Sequence, residues 1–321
     1  MKKIGILCSG GDAPGMNSAL RAVVRSAIFE GIEVFGIKNG YEGLIDGSLV
    51  PMVESSVADI IQKGGTILGT SRSERFTKKE GVSQALNVLK VYGIEGLIVL
   101  GGDGSMRGAY SLCKEGFPVG LIPCSIDNDM DYTDYTVGFW TAVDTVTDAI
   151  SKIRDTTDAH NRANVVEVMG RNCGDIALYA GISGGAESIL VPENKADIDD
   201  IARKMLMGKN RGKRHHIILV AEGLGHAHEI AEKLQKITEI ETRVTILGYI
   251  QRGGSPSSVD RVLASAMGNV LVKKMIENDE NKALAVGIRN GKIFTEDFER
   301  AFNRKKVFSK NLYDIMKIVS I

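Results

Sequence analysis

A mainly parallel α/β fold is predicted by three observations on this 321-residue sequence. Short apolar runs alternate with amphipathic stretches of helix length, the pattern of strands joined by crossover helices. Thirty-seven glycines against six prolines supply many tight strand-to-helix turns. No repeat at solenoid periods and no low-complexity linker breaks the pattern, so a second domain would be woven into the first. Gly138-Phe139-Trp140 is the expected crossing point.

The first element is a strand over 2–7, followed by Ser9-Gly10-Gly11-Asp12-Ala13-Pro14-Gly15 and a helix to about residue 30, stopped by Gly31. Residues 34–37 form the next apolar run. Residues 96–100 read as a buried strand, a short continuous apolar run bounded by glycines. It opens into Gly101-Gly102-Asp103-Gly104-Ser105 and a helix over 106–114. Glycines there let the backbone approach a ligand, and N–H groups at the helix start face an anion. Beside phosphates, Asp103 makes sense chiefly as a Mg²⁺ ligand or water anchor. The spacing through Gly108 is a poor dinucleotide fingerprint, and no Gly-x-x-x-x-Gly-Lys-Ser/Thr occurs, which excludes a P-loop NTPase.

A third run, 119–123, delivers Ser125-Ile126-Asp127-Asn128-Asp129-Met130 to its carboxyl end, where open α/β sheets bind ligands. An aspartate beside a hydroxyl can take a proton from a substrate alcohol there. In isolation the same residues make an ordinary Asx turn. Three acidic turns after three apolar runs favour one phosphate-and-metal crevice.

Farther on, helices over 142–153 and 227–237 alternate with apolar runs at 165–168, 217–221 and 244–247. Arg154, Arg162, Arg171, Arg243 and Arg252 lie near turns rather than in a charge run. Arg171 and Arg252 each follow a buried-looking strand, where a planar guanidinium suits phosphate. The stretch 209–216 is basic and reads as a solvated loop. His226 and His228 have no cysteine or histidine nearby, which argues against zinc.

Forty basic and forty acidic residues cancel, removing the electrostatic reason to expect nucleic acid or an anionic membrane. The apolar runs fall far short of the roughly 20 residues needed to span a bilayer. Met1-Lys2-Lys3 before Ile4-Gly5-Ile6-Leu7 imitates a signal start, but Gly10-Gly11-Asp12 ends it too soon. Cys8, Cys113, Cys124 and Cys173 show no paired metal spacing and no disulfide density, so reduced thiols in a cytoplasmic protein are expected.

Several of these motifs recur in a fixed order. They are Gly-Ile-Leu-Cys-Ser-Gly-Gly-Asp-Ala-Pro-Gly-Met-Asn over 5–17, the turns at 101–105 and 126–129, and Val-Glu-Val-Met-Gly-Arg over 166–171. Gln-Arg-Gly-Gly-Ser-Pro over 251–256 and Asp260-Arg261 complete the set. In order and spacing, across nearly the whole chain, it resembles the bacterial ATP-dependent 6-phosphofructokinase family. The resemblance implies two interleaved doubly wound domains with mainly parallel sheets, a cytoplasmic homotetramer, and the committed phosphorylation of glycolysis. It implies a nucleotide-binding domain of residues 1–138 with 252–304, and a sugar-phosphate domain of 139–251 with 305–321.

By the same resemblance Gly11, Arg72, Ser73, Asp103, Gly104, Ser105 and Met106 take ATP, with Asp103 arranging Mg²⁺. Asp127 matches the base for the 1-hydroxyl of fructose 6-phosphate, and Ser125 stands in for the usual threonine beside it. Arg72 and Arg171 would stabilise the transferring phosphoryl group. Ile126, Met169, Gly170, Glu222, Tyr249 and Arg252 would hold the sugar, and Arg162 and Arg243, from a neighbouring subunit, its 6-phosphate. Arg21, Arg25, Glu54, Arg154, Gly185, Glu187, Arg211, Lys213 and His215 match an effector site for ADP and phosphoenolpyruvate.

Three positions depart from the family pattern. Cys124 stands where ATP-using members usually carry glycine and pyrophosphate-using members lysine; a thiol is small and mostly neutral at pH 7, although cations beside it would lower its pKa and make it reactive. Tyr249 replaces a histidine and can donate one hydrogen bond without a charge. Glu54 puts a negative charge where a cation commonly serves the effector site. The rival readings are a pyrophosphate-dependent phosphofructokinase, a member of the NAD and diacylglycerol kinase group, and a catalytically silent regulatory paralogue. Gly104 and an uncharged residue 124 favour ATP over pyrophosphate, the Asp127 and Arg252 motifs disfavour the kinase group, and retention of Asp103, Asp127, Arg72 and Arg171 disfavours a silent protein.

Overall fold

Residues 1–194, 197–277 and 283–320 are described by the structure, a computed structural model. Chain contacts divide it into two units. The first comprises Met1–Ile126, Met130–Thr141 and Arg252–Lys306; the second comprises Asp127–Asp129, Ala142–Gln251 and Val307–Ile321. The first opens with β1 (Lys3–Cys8), α1 (Met16–Phe29), β2 (Glu33–Ile37), α2 (Gly40–Ile45) and β3 (Leu49–Met52). It continues with α3 (Lys79–Val91), β4 (Gly96–Gly101), α4 (Asp103–Lys114) and β5 (Val119–Pro123). Helix α5 (Phe139–Ala159) carries the chain onward to β6 (Ala163–Val168), α6 (Asp175–Ser183), β7 (Ser188–Leu190) and α7 (Ile198–Asn210). Then come β8 (His216–Ala221), α8 (Ala227–Thr238) and β9 (Thr242–Ile246). The first unit resumes with α9 (Ser258–Glu277), β10 (Ala283–Arg289), β11 (Lys292–Asp297) and α10 (Phe298–Phe302), and α11 (Lys310–Val319) lies in the second.

Among the described residues the first unit holds a seven-stranded sheet in the order β11-β10-β5-β4-β1-β2-β3. Its central pairs are parallel, and β2–β3 and β10–β11 add antiparallel edges. Successive strand residues point to opposite faces. Leu97 and Val99, with Val119 and Leu121, join a core built with Leu89 of α3, Met106 and Leu112 of α4 and Phe298 of α10. On the other face the space beside Gly120 is filled by Leu271 and Met275 of α9. Burial on both faces explains why β4 and β5 read as unbroken apolar runs. Strand order reverses at β1 and β4, so the crevice of this sheet opens beyond their carboxyl ends.

The second unit's sheet runs β7-β8-β6-β9, parallel throughout. Val165, Ile218 and Val220 pack there with Ile201 and Met205 of α7 and Leu234 of α8. The predicted α/β class with mainly parallel sheets is therefore the observed one.

Two helices differ from their expected limits. Helix α4 begins at Asp103 rather than 106, because extended Gly102 is its N-cap and the Gly102 carbonyl accepts Met106 N–H at 3.0 Å. Helix α5 spans 21 residues where twelve were expected, since its threonines at 147 and 157 return their hydroxyls to carbonyls four residues back and do not break it. Among the described residues no helix is long and apolar enough to cross a membrane.

Candidate active site

In the first unit the glycine turns after β1, β4 and β5 meet through the backbone. Ser9 N–H donates to Leu100 O at 2.9 Å and Cys124 N–H to Gly101 O at 3.0 Å. Ser105 Oγ donates to Ser9 O at 2.9 Å, so the first turn of α4 is tied to the loop after β1. A side chain at Gly101 would strike Ser105 Oγ and Ser9 O, which explains the glycine. Gly104 is exposed, and a Cβ there would meet nothing within 4 Å. Space therefore remains open beside the free N–H groups at the α4 start, a location suited to anions.

Asp103 is the first residue of α4, half-exposed, with Oδ2 2.9 Å from Arg107 Nε. Among the described residues no cluster of three His, Cys, Asp or Glu is assembled to hold a metal. A single carboxylate at this point still fits Mg²⁺, which usually arrives with phosphates and needs only one or two protein carboxylates. Gly108 is a packing residue: its missing Cβ would strike the Tyr41 ring, whose hydroxyl donates to Ser105 O at 2.7 Å.

Arg72 is exposed and makes no ion pair or hydrogen bond among the described residues, while its loop is pinned on both sides. Thr70 Oγ1 donates to Gly10 O at 2.9 Å, and Ser73 Oγ donates to Glu42. A Cβ at Gly11 would sit 3.4 Å from Arg252 Nη1, so glycine lets the guanidinium lie against this loop. Met106 is buried at 2% exposure and faces the core. Ser125 is partly buried, with its N–H on Val137 O, and Ile126 is buried.

The structure decides between a neutral thiol and a cation-activated one at Cys124. It is 2% exposed, and burial, with smaller contributions from Cys8 and Asp260, pushes its pKa well above the ordinary thiol value. No cation offsets that desolvation, so the thiol is neutral and unreactive rather than activated.

The second unit places a side-chain cluster at the carboxyl edge of its sheet. Asn128 adopts a left-handed conformation (φ 54°) that Asn tolerates, and its amide donates to Asp175 Oδ2 at 2.7 Å. The turn sends both flanking carboxylates to one guanidinium: Arg171 Nε lies 3.2 Å from Asp127 Oδ2, and Nη1 lies 3.4 Å from Asp129 Oδ2. The Asp127 side chain is 6% exposed, whereas that of Arg171 is 54% exposed. Arg171 is itself left-handed (φ 51°), and its N–H is captured by Glu222 Oε1 at 2.8 Å. Gly170 before it has φ 135°, and a side chain there would strike Cys173 O, so only glycine serves.

Met169 N–H donates to buried Gln251 Oε1 at 3.1 Å, which fixes the turn carrying Tyr249. Tyr249 is 79% exposed.

The other two sugar-side arginines do not join this cluster. Arg162 precedes β6 and Arg243 lies on β9; both grip Glu241, at 2.9 and 2.5 Å. Desolvation raises the Glu241 pKa, but Arg162 and Arg243 outweigh it and hold the carboxyl below its ordinary value. They stand at the amino edge, separated from Arg171 by the length of β6, about 20 Å at ~3.3 Å per residue.

The effector-type residues also form separate groups. In the second unit Arg154 Nη2 donates to Gly184 O and Gly185 O at 2.6 and 2.8 Å. Buried Glu187 meets Lys213 Nζ at 2.8 Å and His215 Nε2 at 3.6 Å, and exposed Arg211 follows α7 nearby in sequence. In the first unit Arg21 and Arg25 ride on α1, and Glu54 opens a 3₁₀ turn that packs on that helix.

Sequence reasoning missed Asp129, Gln251 and Glu241 as site residues. Asp129 stood inside the quoted Asp-Asn-Asp turn and Gln251 inside the quoted motif over 251–256; Glu241 carried no local signal.

The family model described as Phosphofructokinase matches residues 3–275. ATP-dependent 6-phosphofructokinases of Alkaliphilus metalliredigens and Finegoldia magna are 56% and 53% identical over 321 residues, covering all of both chains. That of Clostridium tetani is 55% identical over 320 residues, again across both full lengths. Among solved structures, phosphofructokinase from Saccharomyces cerevisiae superposes with a TM-score of 0.90 at 36% identity, covering this whole chain and 47% of the longer yeast chain. A pyrophosphate-dependent phosphofructokinase from Marinobacter aquaeolei reaches 0.84 at 20% identity, covering 97% and 86% of the two chains, a likeness of fold alone.

Proposed function

The chain belongs to the phosphofructokinase family, and from that premise we propose that it transfers the γ-phosphoryl group of Mg-ATP to the 1-hydroxyl of fructose 6-phosphate, giving fructose 1,6-bisphosphate and ADP. The observation that carries this reading is the Asp127–Arg171–Asp129 cluster at the carboxyl edge of the second sheet. Phosphoryl transfer asks for one carboxylate that orients and deprotonates the alcohol, and for cations on the transferring oxygens. Asp127 takes the proton of the sugar hydroxyl. Arg171, mostly exposed beside it, turns its fork to the phosphoryl oxygens. Met169, Gly170 and Glu222 line the sugar, and Ser125 keeps a hydroxyl beside the base.

The first unit is the nucleotide-binding domain. The α4 start with Gly104 and Ser105, together with Gly11, Arg72 and Ser73, takes the phosphates, while Met106, expected among them, gives its N–H to Gly102 O and its side chain to the core. Asp103 would hold Mg²⁺, which supplies charge neutralisation between the phosphates. The open space at Gly104 and the neutral, buried Cys124 support ATP as donor.

Arg162 and Arg243 bind the 6-phosphate of a neighbouring subunit's sugar. Their distance from Arg171 within one chain supports that assignment; the family resemblance adds a cytoplasmic homotetramer. ADP and phosphoenolpyruvate act as effectors at the Arg154, Glu187, Arg211, Lys213 and His215 group, with Arg21, Arg25 and Glu54, the last of which weakens both.

A coupled assay of ADP release, with Mg-ATP and fructose 6-phosphate varied separately, tests the reading. Saturable turnover requiring both substrates is expected, with pyrophosphate a poor donor. Pyrophosphate supporting turnover at a rate comparable with ATP would overturn the donor assignment.

A further inference from the structure

Asp260 and Arg261 belong to the ordered motifs, yet the proposed chemistry uses neither. Asp260 lies in the first turn of α9 with no solvent exposure. Its Oδ1 accepts Gly138 N–H at 2.9 Å, and its Oδ2 accepts Thr141 N–H at 2.8 Å and the Thr141 hydroxyl at 2.6 Å. Ser257 Oγ also donates to Oδ2, at 3.2 Å, and Ser257 N–H donates to Thr141 Oγ1 at 2.9 Å. The carboxylate thus caps the start of α5, where N–H groups have no intrahelical partner, and ties it to Ser257, whose Oγ accepts Asp260 N–H at 3.2 Å and caps α9. A Cβ on Gly15, the N-cap of α1, would lie 3.7 Å from Asp260 Cβ, so a third helix start converges here. The positive ends of helices favour an anion at such a point.

The connection to the proposed chemistry runs through residues 136–138. Val137 bridges to Cys124 in parallel fashion, with Val137 N–H on Pro123 O at 2.8 Å and Ser125 N–H on Val137 O at 3.1 Å. Thr136 Oγ1 donates to Ser125 O at 2.5 Å. Gly138, one peptide bond from Val137, has no lateral room: a Cβ would strike Ala13 at 2.8 Å and touch Ile126 at 3.4 Å. Arg261 pins the other end of the same motif, its Nε donating to Pro256 O and its Nη2 to Ser255 Oγ, both at 2.8 Å. Ser255 Oγ in turn donates to Gln62 O at 2.7 Å.

We propose that Asp260 is a positioning residue for the Ser125–Asp127 segment, setting it through Gly138 and the Thr136–Val137 bridge without touching substrate. The role in turnover rests on the phosphotransfer reading above; the mechanical link does not. A buried acceptor of four donors, two of them backbone N–H groups at α5, leaves that helix start little freedom. The strand piece before it inherits that constraint, and so does the segment it pairs with. Asparagine can accept at one side-chain atom only, so Asp260→Asn must release part of this set.

The test combines steady-state kinetics with hydrogen exchange on the full-length protein. Asp260→Asn should lower kcat about 10- to 100-fold, the scale of a small misplacement of reacting groups, with KM for both substrates within about twofold. Amide exchange at 124–127 and 136–138 should accelerate. Thr141→Val, which removes one donor and keeps the carboxylate, should move both readouts the same way by less, and carries the test if Asp260→Asn fails to fold. Asp297→Ala removes the side-chain cap of α10 in the same unit and controls for generic loss of stability; its kcat should be unchanged. A kcat for Asp260→Asn and Thr141→Val no lower than that of Asp297→Ala, or exchange unchanged at 124–127, overturns the inference. A wild-type protein inactive with ATP and fructose 6-phosphate would count against the functional reading, and the exchange pattern alone would then decide the link.

Discussion

At the carboxyl edge of the second unit's sheet Arg171 meets Asp127, whose side chain is 6% exposed, whereas at the amino edge Arg162 meets Glu241, 45% exposed. Both contacts pair a guanidinium with a carboxylate, but water reaches only one of the acids. Exposed ion pairs contribute about 0–1 kcal/mol, because solvent and salt compete with the partner. On the proposed reading, the sugar 6-phosphate displaces Glu241 at little cost and takes over both arginines. The buried acid has no such alternative, and its direction is held by Arg171. One edge pairs its arginine with an acid that water reaches, the other with an acid that burial shields.

The largest test of this contrast is Asp127→Ser. Loss of a general base costs about 10²–10⁴-fold, so kcat should fall by that much while half-saturation for either substrate changes little. Near wild-type kcat in a correctly assembled variant would remove Asp127 from the role of base.

Arg162→Ala should behave in the opposite way. A charged hydrogen bond contributes about 1.5–3 kcal/mol, so half-saturation for fructose 6-phosphate should rise roughly 10- to 100-fold. The kcat should be nearly retained, with the ATP value constant. If kcat falls and half-saturation holds, the two edges do not divide binding from chemistry.

The amino edge also carries a buried base, His216, which opens β8. Burial holds its pKa down, from 6.5 to about 4; Glu187 opposes the shift, and Lys213 and His215 add to it. The unfolded chain therefore binds a proton that the fold refuses between pH 6.5 and 4. Its contribution is complete above pH 6.5 and is lost as pH falls toward 4. At about 1.4 kcal/mol per pKa unit the loss is at most about 3.5 kcal/mol. Urea unfolding across that window should show wild type losing more stability than His216→Gln; parallel curves would mean His216 is protonated in the fold.

The smallest expected effect is at Tyr249, on the exposed turn held by Gln251. Tyr249→His replaces a neutral donor by one that can be charged and roughly twice as strong. At so exposed a site it should lower half-saturation for fructose 6-phosphate only about two- to fivefold. An unchanged or higher value would assign the ring to packing.

Much of the fold was legible because it is written in local pattern. The apolar runs at 96–100 and 119–123 are β4 and β5, each buried on both faces, and the glycine turns after them lie where parallel strands end. Helix α8 was expected at 227–237 and spans Ala227–Thr238, since its apolar spacing is uninterrupted. The stretch from Ser125 to Asp129 could be singled out for the same reason: turn chemistry and acidity are visible within a few residues.

The pairing of those residues was not visible. Asp127 and Asp129 meet Arg171 more than forty positions away because Asn128 and Arg171 both turn left-handed and Glu222 holds the Arg171 N–H. Sequence periodicity reports which face a residue takes on its own element; strand order decides which elements become neighbours. For the same reason Arg162 and Arg171, nine positions apart, stand at opposite ends of β6, while Asp260 reaches Gly138 from 122 positions away. Cys124 shows the limit most directly. The sequence leaves both a neutral and a cation-activated thiol open, and only the strands packed around it exclude water and raise its pKa. The sequence by itself determined the α/β class, the three acidic turns and the residue types available for phosphotransfer, because each depends on local conformational preference. Tertiary structure alone decided burial, charge pairing and which edge of a sheet each arginine serves, because those depend on contacts between segments that the chain order does not bring together.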